Sequence, residues 1–156
     1  RPAPTDLNEV FETVLFLVSQ QMRKQDIRTH VDIPRDLPKI LVDPQQIQQS
    51  LLNIVLNAVE AMPSGGTLTI SITEKVIESP SKKEGKLYLS LTISDTGTGI
   101  SEEVLSQIFN PFFTTKASGT GLGLSITQRI IEQHNGRIDI KSEMGKGTSF
   151  TIDLPV

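Results

Sequence analysis

Asn53, Asn57 and Glu60 fall at i, i+4 and i+7, so a helix would carry them on one face, with Ile47, Leu51, Ile54, Val55 and Met62 as a core stripe opposite. Amide carbonyls on a helix wall can ligate a hard cation such as Mg2+, which otherwise keeps waters and nucleotide phosphates as ligands. A solvated polar helix face is the alternative these residues leave open. Asp95-Thr96-Gly97-Thr98-Gly99-Ile100 follows directly on an alternating apolar segment. An aspartate at a strand end can accept a hydrogen bond from an exocyclic amine such as that of adenine, and two glycines let the backbone pass close to a flat base. Guanine presents a carbonyl at the matching position and would be penalised. A tight turn capped by its own aspartate is the alternative. Further on, Gly119-Thr120-Gly121-Leu122-Gly123-Leu124-Ser125 opens a helical pattern. Glycines ahead of a helix N-terminus, with its free N–H groups and positive dipole end, form a phosphate site. The run lacks the Lys-Ser or Lys-Thr pair of a P-loop, and the preceding Phe109 to Ser118 does not read as the strand that a dinucleotide fingerprint follows. Between the glycine runs, Phe109, Phe112 and Phe113 gather three of the chain's six phenylalanines ahead of Lys116. This reads as a hinged flap in which Phe109 and Phe113 are anchors and Lys116 reaches a phosphate as a mobile point charge. A hydrophobic turn beside a solvated lysine is the alternative.

These residues need a frame. Leu7, Val10, Phe11, Val14, Leu17, Val18 and Met22 recur at helical spacing over Asp6 to Lys24. Ile27 to Ile33 alternates, and Lys39 to Val42 fits a short strand. Asp43-Pro44 then starts a helix as N-cap and first residue, which runs to about Met62 before Pro63-Ser64-Gly65-Gly66 stops it. Thr67 to Thr73 and Lys86 to Ser94 alternate with period two, the habit of antiparallel strands with one wet face. The charged stretch Glu78 to Gly85 between them is expected to be a mobile loop. Ser101 to Gln107 reads as a short helix and Gly121 to His134 as a longer one, ended by Asn135-Gly136 at the left-handed cap. Arg137 to Lys141 and Thr148 to Leu154 close the chain as a hairpin around Gly145-Lys146-Gly147. The sum is an α+β, two-layer sandwich: about three long helices on one face of a mixed, mostly antiparallel sheet.

Bulk properties narrow the field. At 156 residues, 37% of them hydrophobic, one domain spanning 1–156 is the expectation. A formal charge of -3 carries no nucleic-acid footprint. Without cysteine there is neither a disulfide framework nor a thiolate metal site, which fits the cytoplasm. No apolar run approaches the roughly 20 residues of a membrane helix, and an opening at Arg1 without Met reads as a piece excised from a longer protein. No contact of this domain with a membrane is expected.

Taken in order, Asn-x-x-x-Asn, Asp-x-Gly-x-Gly, the Phe-rich segment and Gly-x-Gly-x-Gly, followed by Gly145-Lys146-Gly147-Thr148-Ser149-Phe150, resemble the N, G1, F and G2 boxes and final glycine turn of sensor histidine kinases. The wider superfamily includes type II topoisomerases, heat-shock chaperone ATPases and mismatch-repair ATPases. The Asn-Pro-Phe-Phe-Thr-Thr-Lys and Gly-Thr-Gly-Leu-Gly-Leu-Ser strings are most similar to the nitrogen-regulation branch. The resemblance implies the Bergerat fold, ATP and Mg2+ as ligands, and transfer of the γ-phosphoryl group to a histidine on a separate dimerisation domain of the same parent, upstream of a response regulator. It implies Asn57 as Mg2+ ligand, Asn53 near the phosphates, Asp95 reading adenine, and Gly97 and Gly99 admitting the base beside Ile100. Gly119, Thr120, Gly121, Leu122, Gly123 and Leu124 would wrap the phosphates, with Phe113 and Lys116 in the lid and Lys116 on the γ-phosphate. Thr148 would support Asp95, directly or through a water. Hydrolysing members carry a glutamate where this chain has Asn53, so Asn53 and Lys116 are the residues expected to serve transfer. His30 and His134 lack an adjacent acidic residue and are expected to be structural, so the isolated domain, expected as a monomer, should do little chemistry alone. A nucleotide-binding module without transfer is one rival, disfavoured by the complete boxes. An anti-sigma serine kinase is the other, disfavoured by the Phe-rich segment.

Overall fold

The computed structural model describes residues 1–79, 82–110 and 123–156. Helix α1 (Leu7–Lys24) begins where the Asp6 carboxylate accepts the Asn8 N–H at 2.9 Å, and it carries Glu9 in its first turn and Arg23 and Lys24 in its last, matching the helix dipole at both ends. Helix α2 (Pro44–Glu60) starts under the Asp43 carboxylate, which accepts from Gln45 and Gln46 at 3.1 and 3.2 Å, with Pro44 at its first position as expected. A four-residue helix α3 (Glu102–Leu105) is capped by Ser101 and is shorter than the pattern predicts. Helix α4 (Gly123–Gln133) ends at Asn135, whose φ of +61° and the Gly136 N–H to Ile131 carbonyl bond of 2.9 Å form the left-handed cap read from the sequence.

The main sheet has five strands in the order β2 (Ile27–Asp32), β4 (Gly66–Ser79), β5 (Lys82–Asp95), β7 (Gly147–Pro155) and β6 (Arg137–Glu143). Among the described residues, only β2 and β4 pair in parallel. This is the mixed, mostly antiparallel sheet with helices on one face that the patterning predicts. Alternation sets its core face: Leu68, Ile70 and Ile72 on β4, Leu89, Leu91 and Ile93 on β5, and Ile152 and Leu154 on β7 are essentially inaccessible, packed with Leu7, Phe11, Val14, Leu51, Ile54 and Val55 from α1 and α2. Each such side chain contributes about 1.5–3 kcal/mol by burial.

Three readings change. The expected loop from Glu78 to Gly85 is instead the far end of the β4–β5 hairpin, with Ile77 opposite Lys86 and Ser79 opposite Lys82 across a register shift. Backbone pairing propagates along two long neighbouring strands whether or not their side chains are apolar, so charge alone does not end a ribbon. Ala3–Thr5 forms β1, antiparallel to β3 (Ile40–Val42), a pair too short to carry a sequence signal. The alternating Ile27 to Ile33 segment is an edge strand on which only Ile27 is buried, leaving Val31 45% exposed.

Candidate functional site

At the open end of the sheet the core face changes character. Across β5, β7 and β6 the register sets Ile93, Phe150 and Ile140 side by side, and two residues further along it sets Asp95, Thr148 and Ser142 side by side. A polar row thus continues the apolar one, and it borders a cavity of about 460 Å³. Asp95 and Thr148 line that cavity with Asn57 of α2, Ile100, Leu124 of α4 and Phe150. Its size and mixed lining suit a ligand with a flat apolar body and a few fixed polar contacts.

Asp95 is 8% exposed, and its carboxylate accepts the Gly97 N–H at 2.8 Å and a backbone N–H from Thr148. Burial pushes the carboxyl up from its ordinary value, and the two N–H bonds offset only part of that. The result is a fixed acceptor at the inner wall. Thr148 sits opposite Asp95 in the strand register, beside its carboxylate.

The glycines of the Asp95 loop are required by protein contacts. A Cβ on Gly97 would stand 2.5 Å from the Ala61 carbonyl oxygen at the end of α2, where Thr98 N–H also bonds that oxygen at 3.2 Å. Gly99 has a φ of +78°, and a Cβ there would stand 2.2 Å from the Glu143 carbonyl oxygen. The loop is thus clamped between α2 and the β6–β7 turn, whose Gly145 N–H bonds the Thr98 carbonyl at 2.8 Å.

Asn57 lines the cavity and its Nδ2 donates to the Asn53 carbonyl at 2.9 Å. Asn53, one turn earlier, is not among the lining residues; its Nδ2 lies 3.5 Å from Oγ1 of the buried Thr127 on α4. Leu124, in the first described turn of α4, lines the cavity, so this end of the helix borders the site. Phe113, Lys116, Gly119, Thr120, Gly121 and Leu122 lie outside the described residues. His134 is structural: Nε2 accepts the Asp43 N–H at 3.1 Å, so Nδ1 carries the proton toward the Ile130 carbonyl at 2.7 Å. His30 is exposed on β2.

The sequence reading missed Val104 and Ile108, which line the cavity from α3 and the turn after it. Their i, i+4 spacing beyond the Asp95 loop was the available signal. It also missed Phe150 and Ser142, both in phase with the apolar positions of their strands.

The family model described as histidine kinase-, DNA gyrase B-, and HSP90-like ATPase matches residues 42–156. Sensor histidine kinase ZraS of Salmonella typhi is 42% identical over 151 residues, which is 97% of this chain and 30% of that protein. The chain thus spans 30% of the length of this relative. The catalytic domain of histidine kinase ThkA superposes with a TM-score of 0.82 at 31% identity, covering 99% of this chain and 95% of that one. Full-length ShkA in complex with AMPPNP superposes with a TM-score of 0.81 at 27% identity, covering 99% of this chain and 31% of that one.

Proposed function

Because the chain belongs to the histidine kinase-, DNA gyrase B- and HSP90-like ATPase family, we propose that it is the catalytic domain of a sensor histidine kinase, binding Mg-ATP and presenting the γ-phosphoryl group to a histidine on the parent's dimerisation domain. The observation that carries this reading is the buried Asp95 acceptor at the inner wall of a cavity that Leu124 of α4 also lines. Asp95 takes the adenine amino group, while Ile100, Leu124 and Phe150 sandwich the base. By resemblance, the triphosphate belongs to the glycine-rich segment ahead of α4, Gly119, Gly121 and Gly123 among it, since backbone N–H groups before a helix favour negative charge. The similar ShkA structure is in complex with AMPPNP, which supports a nucleotide as the ligand.

The residues present suit Mg2+. Asn57 lines the cavity and carries an amide carbonyl oxygen, a hard donor of the type Mg2+ takes. One protein ligand with phosphates and waters is a common magnesium site. When bound, the ion neutralises charge on the phosphates. The chain's own part is to hold the nucleotide in line and keep water from being activated. Asn53 is an amide and accepts no proton at neutral pH, which favours transfer over hydrolysis. Lys116 covers the γ-phosphate. This reading puts the domain in the cytoplasm, where ATP is available, with a response regulator receiving the phosphoryl group.

The test is reconstitution. Incubated with Mg-ATP and the dimerisation domain of its parent, the chain yields acid-labile phosphohistidine on that domain, and neither part yields it alone; no acid-labile label in the mixture refutes transfer. Separately, Lys116→Ala weakens Mg-ATP more than Mg-ADP in calorimetric titration, by about tenfold in the ratio, as loss of one charge-assisted contact to the terminal phosphate requires. Equal losses for both nucleotides would remove Lys116 from the γ-phosphate.

A further inference from the structure

The geometry points to Ser142 as the positioning residue that sets how the pocket reads its purine, an inference resting on Asp95 as the base acceptor. Ser142 is the third member of the polar row, directly opposite Thr148, which in turn is opposite Asp95. Its Oγ accepts the Ile100 N–H at 2.7 Å and lies 2.8 Å from Thr148 Oγ1 and 3.0 Å from the Gly147 carbonyl. One side chain thereby ties the end of the Asp95 loop to β6 and touches both residues of β7 that abut Asp95.

A hydroxyl has one proton and two lone pairs. The Ile100 N–H takes a lone pair of Ser142, which leaves two arrangements. When Ser142 donates to Thr148 Oγ1, the Thr148 proton is released toward the cavity that Thr148 lines, and the pocket shows a donor beside the Asp95 acceptor. When Ser142 donates to the Gly147 carbonyl, Thr148 gives its proton back to Ser142 and shows the pocket a lone pair. Adenine carries an amine donor next to a ring-nitrogen acceptor, the complement of the first arrangement. Guanine carries a carbonyl next to a ring N–H and finds Asp95 wrong in either. Adenine therefore holds the relay in one state, directly or through a water. Removing the Ser142 hydroxyl leaves the Ile100 N–H without its acceptor and Thr148 without the donor that fixes its proton.

The experiment titrates Mg-ATP, and Mg-GTP by competition, into the wild-type chain, Ser142→Ala and Ser142→Thr, with thermal unfolding of each. Ser142→Ala is expected to bind Mg-ATP about tenfold more weakly, the scale of one or two hydrogen bonds, to narrow the ATP-over-GTP ratio, and to melt within a few degrees of wild type. Ser142→Thr, which keeps the hydroxyl, recovers most of the affinity. An Ala variant whose ATP affinity stays within about twofold, or one that loses both nucleotides in proportion, overturns the relay. Should the Ala variant fold poorly, Ser142→Cys keeps the volume with a weaker donor and acceptor, and the same nucleotide ratio decides. Wild-type chain that binds no Mg-ATP refutes the proposed function instead, so the two failures are distinct.

Discussion

Asp95→Asn is expected to weaken Mg-ATP binding more than about a hundredfold while the chain melts at or above the wild-type temperature. A hydrogen bond to a charged acceptor is worth about 1.5–3 kcal/mol. The amide does more than remove it: where its oxygen keeps the Gly97 N–H, its nitrogen replaces the other carboxylate oxygen and sets a donor against the adenine amine, itself a donor. Stability moves the other way because burial is the largest influence on this carboxyl and raises its pKa above 3.8. Between 3.8 and the raised folded-state value the native chain binds more protons than the unfolded one, so its stability falls as pH rises through that window. Above the window the buried charge is a standing cost that asparagine lacks. The same shift gives a pH signature: wild-type affinity for Mg-ATP declines on acidification with a midpoint above 3.8, as the acceptor protonates, and the residual binding of the variant lacks that transition. Calorimetry over pH, paired with thermal unfolding, checks both halves. Near-normal affinity in the variant would mean that the base is read elsewhere, and a large loss of stability would mean that Asp95 is chiefly a structural group.

The frame was legible wherever one residue's neighbours decide its state. The α1 and α2 stripes, the Asp43-Pro44 start, the Asn135-Gly136 stop and the alternation of Leu89, Leu91 and Ile93 are local signals, and each produced the element expected, although Leu17 of the α1 stripe is 54% exposed. What escaped was set by distant partners. The charged residues after Ile77 lie in strands because β4 and β5 are already paired further back. Gly97 is needed for the Ala61 carbonyl, 36 positions earlier, and no spacing in the Asp95 loop reveals that contact. Ser142 was within reach: it occupies the next core-facing position after Ile138 and Ile140, just as Asp95 follows Ile93 and Thr148 precedes Phe150. A polar residue in the core phase at the end of three neighbouring strands marks where the core stops and a pocket begins.

That row depends on one position with no side chain. Gly147 has a φ of +130°, and a Cβ there would stand 2.0 Å from the Asp95 carbonyl oxygen, 2.9 Å from its carbon and 3.1 Å from the Thr96 Cα. All three are backbone atoms and have no rotamer into which to retreat. The residue sits where β7 begins, paired with Glu143 and immediately before Thr148, so a methyl group must pry β7 from β5 where Asp95 and Thr148 meet. Gly147→Ala is expected to lower stability by about 3–5 kcal/mol, combining left-handed backbone strain with an overpacked contact, and to abolish Mg-ATP binding in whatever fraction stays folded. Gly145, two residues earlier in the same turn, separates the two effects. Its φ is +80°, but nothing lies within 4 Å of its Cβ position. Gly145→Ala should therefore cost only the backbone strain, about 1–2 kcal/mol, and leave most nucleotide affinity in place. Urea unfolding of both variants, with m-values compared, measures the difference. Equal destabilisation at the two glycines would mean that backbone conformation alone governs the turn, and that the close approach of β7 to the Asp95 carbonyl is not what keeps the acceptor in its place.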